Sequence, residues 1–532
     1  METLNYPIGK QSFVDIREKG YLYIDKTAYI PLLLKNGSYK FLSRPRRFGK
    51  SLLISTLEAY FSNKRELFKG LAIDSLQPEP WEEYTVLHFD FSGRNYNSAD
   101  VLRKKMVRAL VGYEQQLDIT PLDDDISGRF SEIVQTSYKR TGRGVVILID
   151  EYDNPITSAI GDLKLQEELR NVLYGFYSSF KSLDQYIHFC MLTGVSKYGK
   201  MSVFSGLNNL KDISFLDDFA GICGITETEL HDKFQPGVEA LAEELEITVD
   251  QVYAKLKHYY DGYHFSKKLL DIYNPFSILN ALSDREFGQY WFDTATPTLL
   301  IKTLENLDVD IEKLNGCEAD KSELDNISSF NQDPKALFYQ TGYLTIKAYD
   351  REYSLYTLGF PNLEVERGFM DNLLRIYTRG NPMPLAKEIP RALRRGDVQS
   401  VIDLLKSFLA GIPYDLRKRV AKYENYYHTI LYAIFALIGT EVAAEHHTSR
   451  GSIDLIIRTK DYIYILELKV NGTAEEAIAQ IHEKGYAAPF ANDPRKTILI
   501  GLGFSKDTNT ITSDKVEPPV ECTRRLRPDL IK

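Results

Sequence analysis

The chain has 532 residues, of which 43% are hydrophobic and 26% charged, and a formal net charge of −9. That length exceeds one hydrophobic core and predicts two to four domains, while the composition excludes a disordered chain. No apolar run approaches the ~20 residues that span a bilayer and no signal segment opens the chain, and Cys190, Cys223, Cys317 and Cys522 form no CxxC pair, so a cytoplasmic setting without zinc or disulfides is expected.

Net acidity opposes a nucleic-acid partner only globally. Local basic clusters occur at Arg44/Arg46/Arg47, Arg391/Arg394/Arg395, Arg417/Lys418/Arg419/Lys422 and Arg524/Arg525/Arg527. Such patches can bind phosphates on an acidic protein, and a solvated helix face is the plainer account of each.

In chain order, residues 39–42 predict a strand that leads into a basic, Gly-containing loop and a helix from about Ser51. Residues 86–91 predict a second strand. The continuous apolar runs 145–149 and 187–192 predict buried parallel strands. Strands alternating with helices imply an α/β layer with a parallel sheet. After about Gly224 the pattern turns helical, with Thr226-Glu227-Thr228-Glu229 as a helix start. Asp261-Gly262-Tyr263 and Asn274-Pro275-Phe276 are turn signals. Residues 339–348 and 353–358 predict short strands, a hairpin wing. Arg379-Gly380-Asn381-Pro382-Met383-Pro384 reads as the linker. Beyond it come a helix over 422–439 and strands over 453–457 and 462–470. A helix from Thr473 follows, with Thr473 and Glu476 as a capping box, then a strand over 497–502, giving an α-β-β-α-β order. The expected domains are 1–224, 225–380 and 381–532.

Two constellations carry chemistry. The first is Arg44-Pro45-Arg46-Arg47-Phe48-Gly49-Lys50-Ser51. A phosphate-binding loop needs Gly where backbone N–H groups approach phosphate, Lys for the β- and γ-phosphates, and Ser or Thr for Mg²⁺. Gly49, Lys50 and Ser51 meet the end of that pattern, and Arg44 stands where the first Gly is usual. Downstream, Asp150 closes an apolar strand and is expected to bind Mg²⁺, and Glu151 to polarise an attacking water. Thr193, at the end of another strand, is expected to sense the γ-phosphate. The nucleotide-binding set is Arg46, Arg47, Phe48, Gly49, Lys50, Ser51, Leu52, Asp150 and Thr193.

The second constellation is Asp454 on one apolar strand and Glu467 and Lys469 on the next. Strand side chains alternate faces, so Glu467 and Lys469 point the same way. A charged pair ending an apolar strand is costly unless paired, solvated or metal-bound. Two carboxylates from adjacent strands make an oxygen site for Mg²⁺, and Lys469 is placed to activate the water that attacks a phosphodiester. Gln480 and Tyr486 are expected on the following helix, and Gln480 is a candidate contact to the scissile phosphate, with solvent exposure as the competing account. Glu424 is a candidate third carboxylate, although an i,i+4 pair with His428 explains it more simply. His446-His447 has no matching ligand set.

The arginine-rich loop together with Ile149-Asp150-Glu151-Tyr152-Asp153 resembles the AAA-ATPase-like domain of many bacterial proteins. Tyr23-Ile24-Asp25-Lys26-Thr27, Tyr260-Asp261-Gly262-Tyr263-His264-Phe265 and Tyr273-Asn274-Pro275-Phe276 resemble its recurrent segments. In that family the arginines replace the Gly-rich start, so Arg44 fits. The tail from about Glu424, through Gly451, Asp454, Glu467, Lys469, Gln480 and Tyr486, resembles the PD-(D/E)XK nuclease domain commonly fused to it. The resemblance implies an α/β multidomain chain: a P-loop NTPase sheet, a helical, winged-helix-like middle region and a restriction-endonuclease-like tail. It implies an ATPase with a metal-dependent nuclease fold, and no settled substrate; ATP and Mg²⁺ are the expected cofactors and nucleic acid the expected partner, with DNA placed before RNA, no membrane, and a homo-oligomer left open. The expected activity is Mg²⁺-dependent cleavage gated by nucleotide. The alternative is a nucleotide-switched sensor that binds nucleic acid or a partner without cutting.

Overall fold

The structure, a computed structural model, describes all residues except 1–4, 36, 78–79, 198–202, 205–206, 208, 295–313, 326–333, 379–382, 412–425, 439–440, 449–450, 506–509 and 521–532. It divides into two compact units, Met1–Thr303 with Gly316–Glu364, and Leu304–Asn315 with Val365–Lys532. Among the described residues no helix is long and apolar enough to cross a membrane.

In the first unit the apolar runs become one parallel sheet. Its strands are β1 (Tyr39–Ser43), β2 (Val86–Asp90), β3 (Val145–Asp150), β4 (Ile187–Gly194) and β5 (Lys211–Asp212), in the order β2-β3-β4-β1-β5. Every residue of β3 is buried, as a strand covered on both faces requires. Phe41, Leu87, Ile147, Ile149 and Leu192 share a core with Phe130, Phe176 and Phe180 from flanking helices. Burying each such side chain contributes about 1.5–3 kcal/mol.

The helical region follows its caps. Thr226 and Glu229 form a reciprocal capping box at the start of helix Glu227–Glu244, and Asn274 caps Pro275–Asp284, whose first residue is proline. Two short antiparallel pieces lie in this region: β6 (Ile225–Thr226) with β7 (Ile272–Tyr273), and β8 (Glu318–Ala319), β9 (Thr345–Asp350) and β10 (Leu355–Gly359) in the order β8-β10-β9. Residues 339–341, expected as strand, instead end the helix Lys335–Thr341. Gly342 terminates that helix at φ +92°, and a Cβ there would come within 2.7 Å of Pro45 in the phosphate loop. Gly342→Ala is expected to cost roughly 1–3 kcal/mol, from backbone strain alone, and urea denaturation of the variant checks it.

In the second unit a five-stranded mixed sheet has the order β11 (Glu441–Thr448), β12 (Gly451–Arg458), β13 (Tyr462–Val470), β14 (Lys496–Ser505), β15 (Thr510–Val520). Only β13 and β14 are parallel, joined through the helix Ala474–Lys484. The capping box of Thr473 and Glu476 starts that helix, and Gly485 ends it in the left-handed conformation. Tyr486 therefore stands just past the helix, not on it. Alternation along β13 decides what each face meets. Ile463 and Ile465 pack against Ile478 and Ile481 of the helix, while the Tyr464 hydroxyl donates to the Leu393 carbonyl at 2.6 Å. The outer strands β11 and β15 extend the expected order at both edges.

Candidate active sites

The loop from β1 to the helix Lys50–Phe61 emerges at the carboxyl edge of the parallel sheet, as do the residues after β3 and β4. Ligands of open α/β sheets bind there. Gly49 caps the helix at φ +91° and Arg47 also has positive φ. Lys50 is buried, and its ammonium donates to the carbonyls of Arg44 and Pro45, each at 2.9 Å. Burial pulls its pKa down, opposed by the carboxylates of Glu151 and Asp150. Glu151 has φ +52°. Burial raises its pKa, opposed by Lys50.

A cavity of about 570 Å³ opens beside this loop, within the usual range for small-molecule sites. Of the expected nucleotide set, Arg46, Arg47, Gly49, Lys50, Ser51 and Leu52 line it, and so does Glu151. Phe48, Asp150 and Thr193 are not among its lining residues. Thr193 is fully buried and its hydroxyl donates to Asp150 Oδ1 at 2.5 Å, where the Glu151 N–H also donates at 3.1 Å. The geometry makes Thr193 a support for the Asp150 carboxylate. Phe48 packs edge-on against Tyr263 and Phe265.

The arginines of the loop divide their work. Arg44 is buried, donates to the carbonyls of Ser43, Ser214 and Phe219, and lies 4.2 Å from the Phe265 ring centroid. Its charge is consumed in bracing the loop, which explains how arginine can stand where glycine is usual. Arg47 sits 5.0 Å from the Phe276 ring, and the Trp291 indole donates to the Arg46 carbonyl at 3.2 Å. Lys10, Arg94, Asn154 and Phe276 also line the cavity. Their only sequence signal was weak: Asn154 follows the acidic pair and Phe276 ends a recurrent segment.

In the second unit the β12–β13 ladder pairs Leu455 with Leu466. Its continuation sets Asp454 across from Glu467, and directly opposed residues share a face. Asp454 Oδ2 accepts the Leu468 N–H at 2.8 Å. Glu467 is buried at 1% exposure. Its Oε1 accepts from Lys469 Nζ at 3.3 Å and from the Gln480 amide, while Oε2 has no hydrogen-bond partner among the described residues. Lys469 Nζ also donates to Gln480 Oε1 at 2.5 Å, and the Gln480 amide reaches the Tyr486 hydroxyl at 3.4 Å. Gln480 is thus tied into the cluster, not merely exposed. Burial first, then the Asp454 charge, pushes the Glu467 pKa up to about 7. Glu424 and the basic clusters around 417–422 and 524–527 fall outside the described residues. No group of three or more His, Cys, Asp or Glu side chains is placed to hold a metal among the described residues. The orphaned Glu467 oxygen, repelled by Asp454, nevertheless suits a cation.

Two family models match the chain. "Predicted AAA-ATPase" covers residues 7–204 and "PD-(D/E)XK nuclease superfamily" covers 422–514. A protein of Azotobacter chroococcum mcd 1, named "Uncharacterized protein in vnfD 5'region", is 34% identical over 97% of this chain and 99% of its own length. This chain belongs to the AAA-ATPase-like proteins that carry a PD-(D/E)XK nuclease superfamily domain. The AAA-ATPase-like match contains Lys50, Glu151 and Thr193, and the nuclease superfamily match contains Asp454, Glu467, Lys469 and Gln480. The family membership thus covers both clusters described above.

Proposed function

We propose that the protein is a Mg²⁺-dependent phosphodiesterase acting on nucleic acid, with DNA the first substrate to test, and that it binds ATP in its first unit. The observation that supports the nuclease reading is the Glu467 Oε2 oxygen: buried, without a hydrogen-bond partner among the described residues, and facing the charge of Asp454. A buried carboxylate charge that is incompletely compensated is costly; Lys469 and Gln480 meet only Oε1, and a divalent cation held with Asp454 would offset the rest. Bound Mg²⁺ would supply a Lewis acid and lower the pKa of its water. Lys469 sets a positive charge beside the carboxylates, where the attacking water and the phosphate meet. Gln480 fixes the Lys469 ammonium and Glu467 Oε1 in one geometry.

In the first unit, Lys50 and the loop N–H groups would take the phosphates, Ser51 and Asp150 the Mg²⁺, and Glu151 the attacking water. Nucleotide state gates cleavage in this reading, whose motive is that both sites occur on one chain. The test is cleavage of single- and double-stranded DNA and RNA with Mg²⁺ or with chelator. Wild type is expected to cut only with Mg²⁺, and Asp454→Ala not at all. Equal cutting by Asp454→Ala assigns the activity elsewhere.

The raised Glu467 pKa gives a pH prediction. A metal ion needs the ionised carboxylate. Mg²⁺ affinity is expected to rise about tenfold per pH unit below about 7 and to level off above it. Titrations from pH 5.5 to 8.5 check this, and a flat profile contradicts it. The metal-free protein shows the opposite sign. Its Glu467 holds a proton that the unfolded chain has already released, so this group's contribution to stability falls as pH rises from about 4.5 to about 7.

A further inference from the structure

We propose, resting on the nucleotide-site reading above, that Arg94 is a catalytic residue that touches the terminal phosphate of the bound nucleoside triphosphate, an arginine supplied by the same chain. Arg94 lies on the loop after β2 and lines the cavity that also exposes Lys50, Ser51 and Glu151. The register places it there: Asp90 of β2 pairs with Asp150 of β3. The loop beyond Asp90 therefore begins level with the acidic end of β3, and Glu151 and Arg94 share one cavity.

The loop is held in place from several sides. The Asp90 carboxylate accepts the Ser92 N–H at 2.7 Å and its hydroxyl at 2.9 Å. Lys105 donates to the Ser92 carbonyl at 2.6 Å. Phe91 donates its N–H to the Asp150 carbonyl at 3.0 Å, and its own carbonyl accepts from Asn154 at 2.9 Å and Tyr96 at 2.8 Å. Gly93, at φ +70°, makes the turn that presents Arg94. The guanidinium itself is exposed and has no hydrogen bond or ion pair among the described residues. The other cavity cations differ. Lys50 is bonded to its own loop, Lys10 lies 3.4 Å from Asp15, and Arg46 and Arg47 belong to the phosphate loop itself. A braced backbone carrying an exposed guanidinium into the cavity lined by the phosphate loop is preorganised for charge that develops at the γ-phosphate.

In the step, water attacks the γ-phosphorus and gives up a proton toward Glu151. The bond from that phosphorus to the β–γ bridging oxygen breaks, leaving ADP and inorganic phosphate. Arg94 neutralises charge on the transferring oxygens.

The experiment uses the full chain and measures ATP turnover, ADP affinity and trapping of ADP by aluminium fluoride. Wild type is expected to bind ADP, turn over ATP and form the trapped complex. Arg94→Ala is expected to lose at least about 100-fold in kcat and to fail to trap, with ADP affinity within about twofold. Arg94→Lys should recover part of the rate. Turnover and trapping unchanged in Arg94→Ala would overturn the proposal, as would a parallel loss of ADP affinity, which marks a structural role. A wild type that binds ADP but does not hydrolyse ATP also overturns it and leaves the binding reading standing. Failure of wild type to bind ADP removes both.

Discussion

Glu467→Gln is expected to abolish nucleic-acid cleavage, by at least ~100-fold, the scale of losing a preorganised electrostatic group. The substitution keeps the shape of the side chain. Its carbonyl still accepts from Gln480 and Lys469, as Oε1 does in the parent. What disappears is the carboxylate charge, including that on Oε2, which has no hydrogen-bond partner among the described residues. Stability separates this from misfolding. At pH 8 the metal-free parent holds Glu467 ionised against burial and Asp454, and a neutral amide is free of that repulsion. The variant should therefore be inactive yet at least as stable as wild type in urea at pH 8 without metal. Loss of activity accompanied by a large fall in stability would instead assign Glu467 a structural role.

Lys50→Ala is expected to weaken nucleotide binding by about 10–100-fold. Hydrogen bonds to charged groups contribute about 1.5–3 kcal/mol, and each 1.4 kcal/mol is a factor of ten. The ammonium rests on two carbonyls of its own loop, so its geometry is set before phosphate arrives. Burial already disfavours its charge, and phosphate restores a partner of opposite sign. Fluorescent-nucleotide titration measures the binding effect. The same variant tests gating: cleavage that responds to ATP in wild type should lose that response in Lys50→Ala. A response unchanged in the variant would remove the link between the sites.

Much of this architecture is legible in the residues. The short, β-branched apolar run from Val145 to Ile149 reads as a strand buried on both faces, and its acidic end belongs at the sheet edge. Glu467 and Lys469 share a face because strand periodicity is two, and their neighbours Ile463 and Ile465 choose the helix side. Other features depend on partners distant in sequence. Phe48 reads as part of a binding loop, yet its ring is spent on Tyr263 and Phe265, more than 200 residues away. Thr193 reads as a sensor and is taken by Asp150. Strand β15 hides behind Pro518 and its charged residues, which suit only an edge. Strand β11 hides behind alanines and glutamates that are weak strand formers. The segment 339–341 misleads because local aromatic content favours a strand while packing makes the end of a helix.

Asp454 and Glu467 are expected to hold one divalent cation between them. Calorimetric titration of Mg²⁺ or Mn²⁺ into nucleotide-free protein at pH 8 measures it most directly, with wild type beside Asp454→Asn and Glu467→Gln. A site present in wild type and missing from each variant is the predicted result. Equal binding by all three proteins would contradict it.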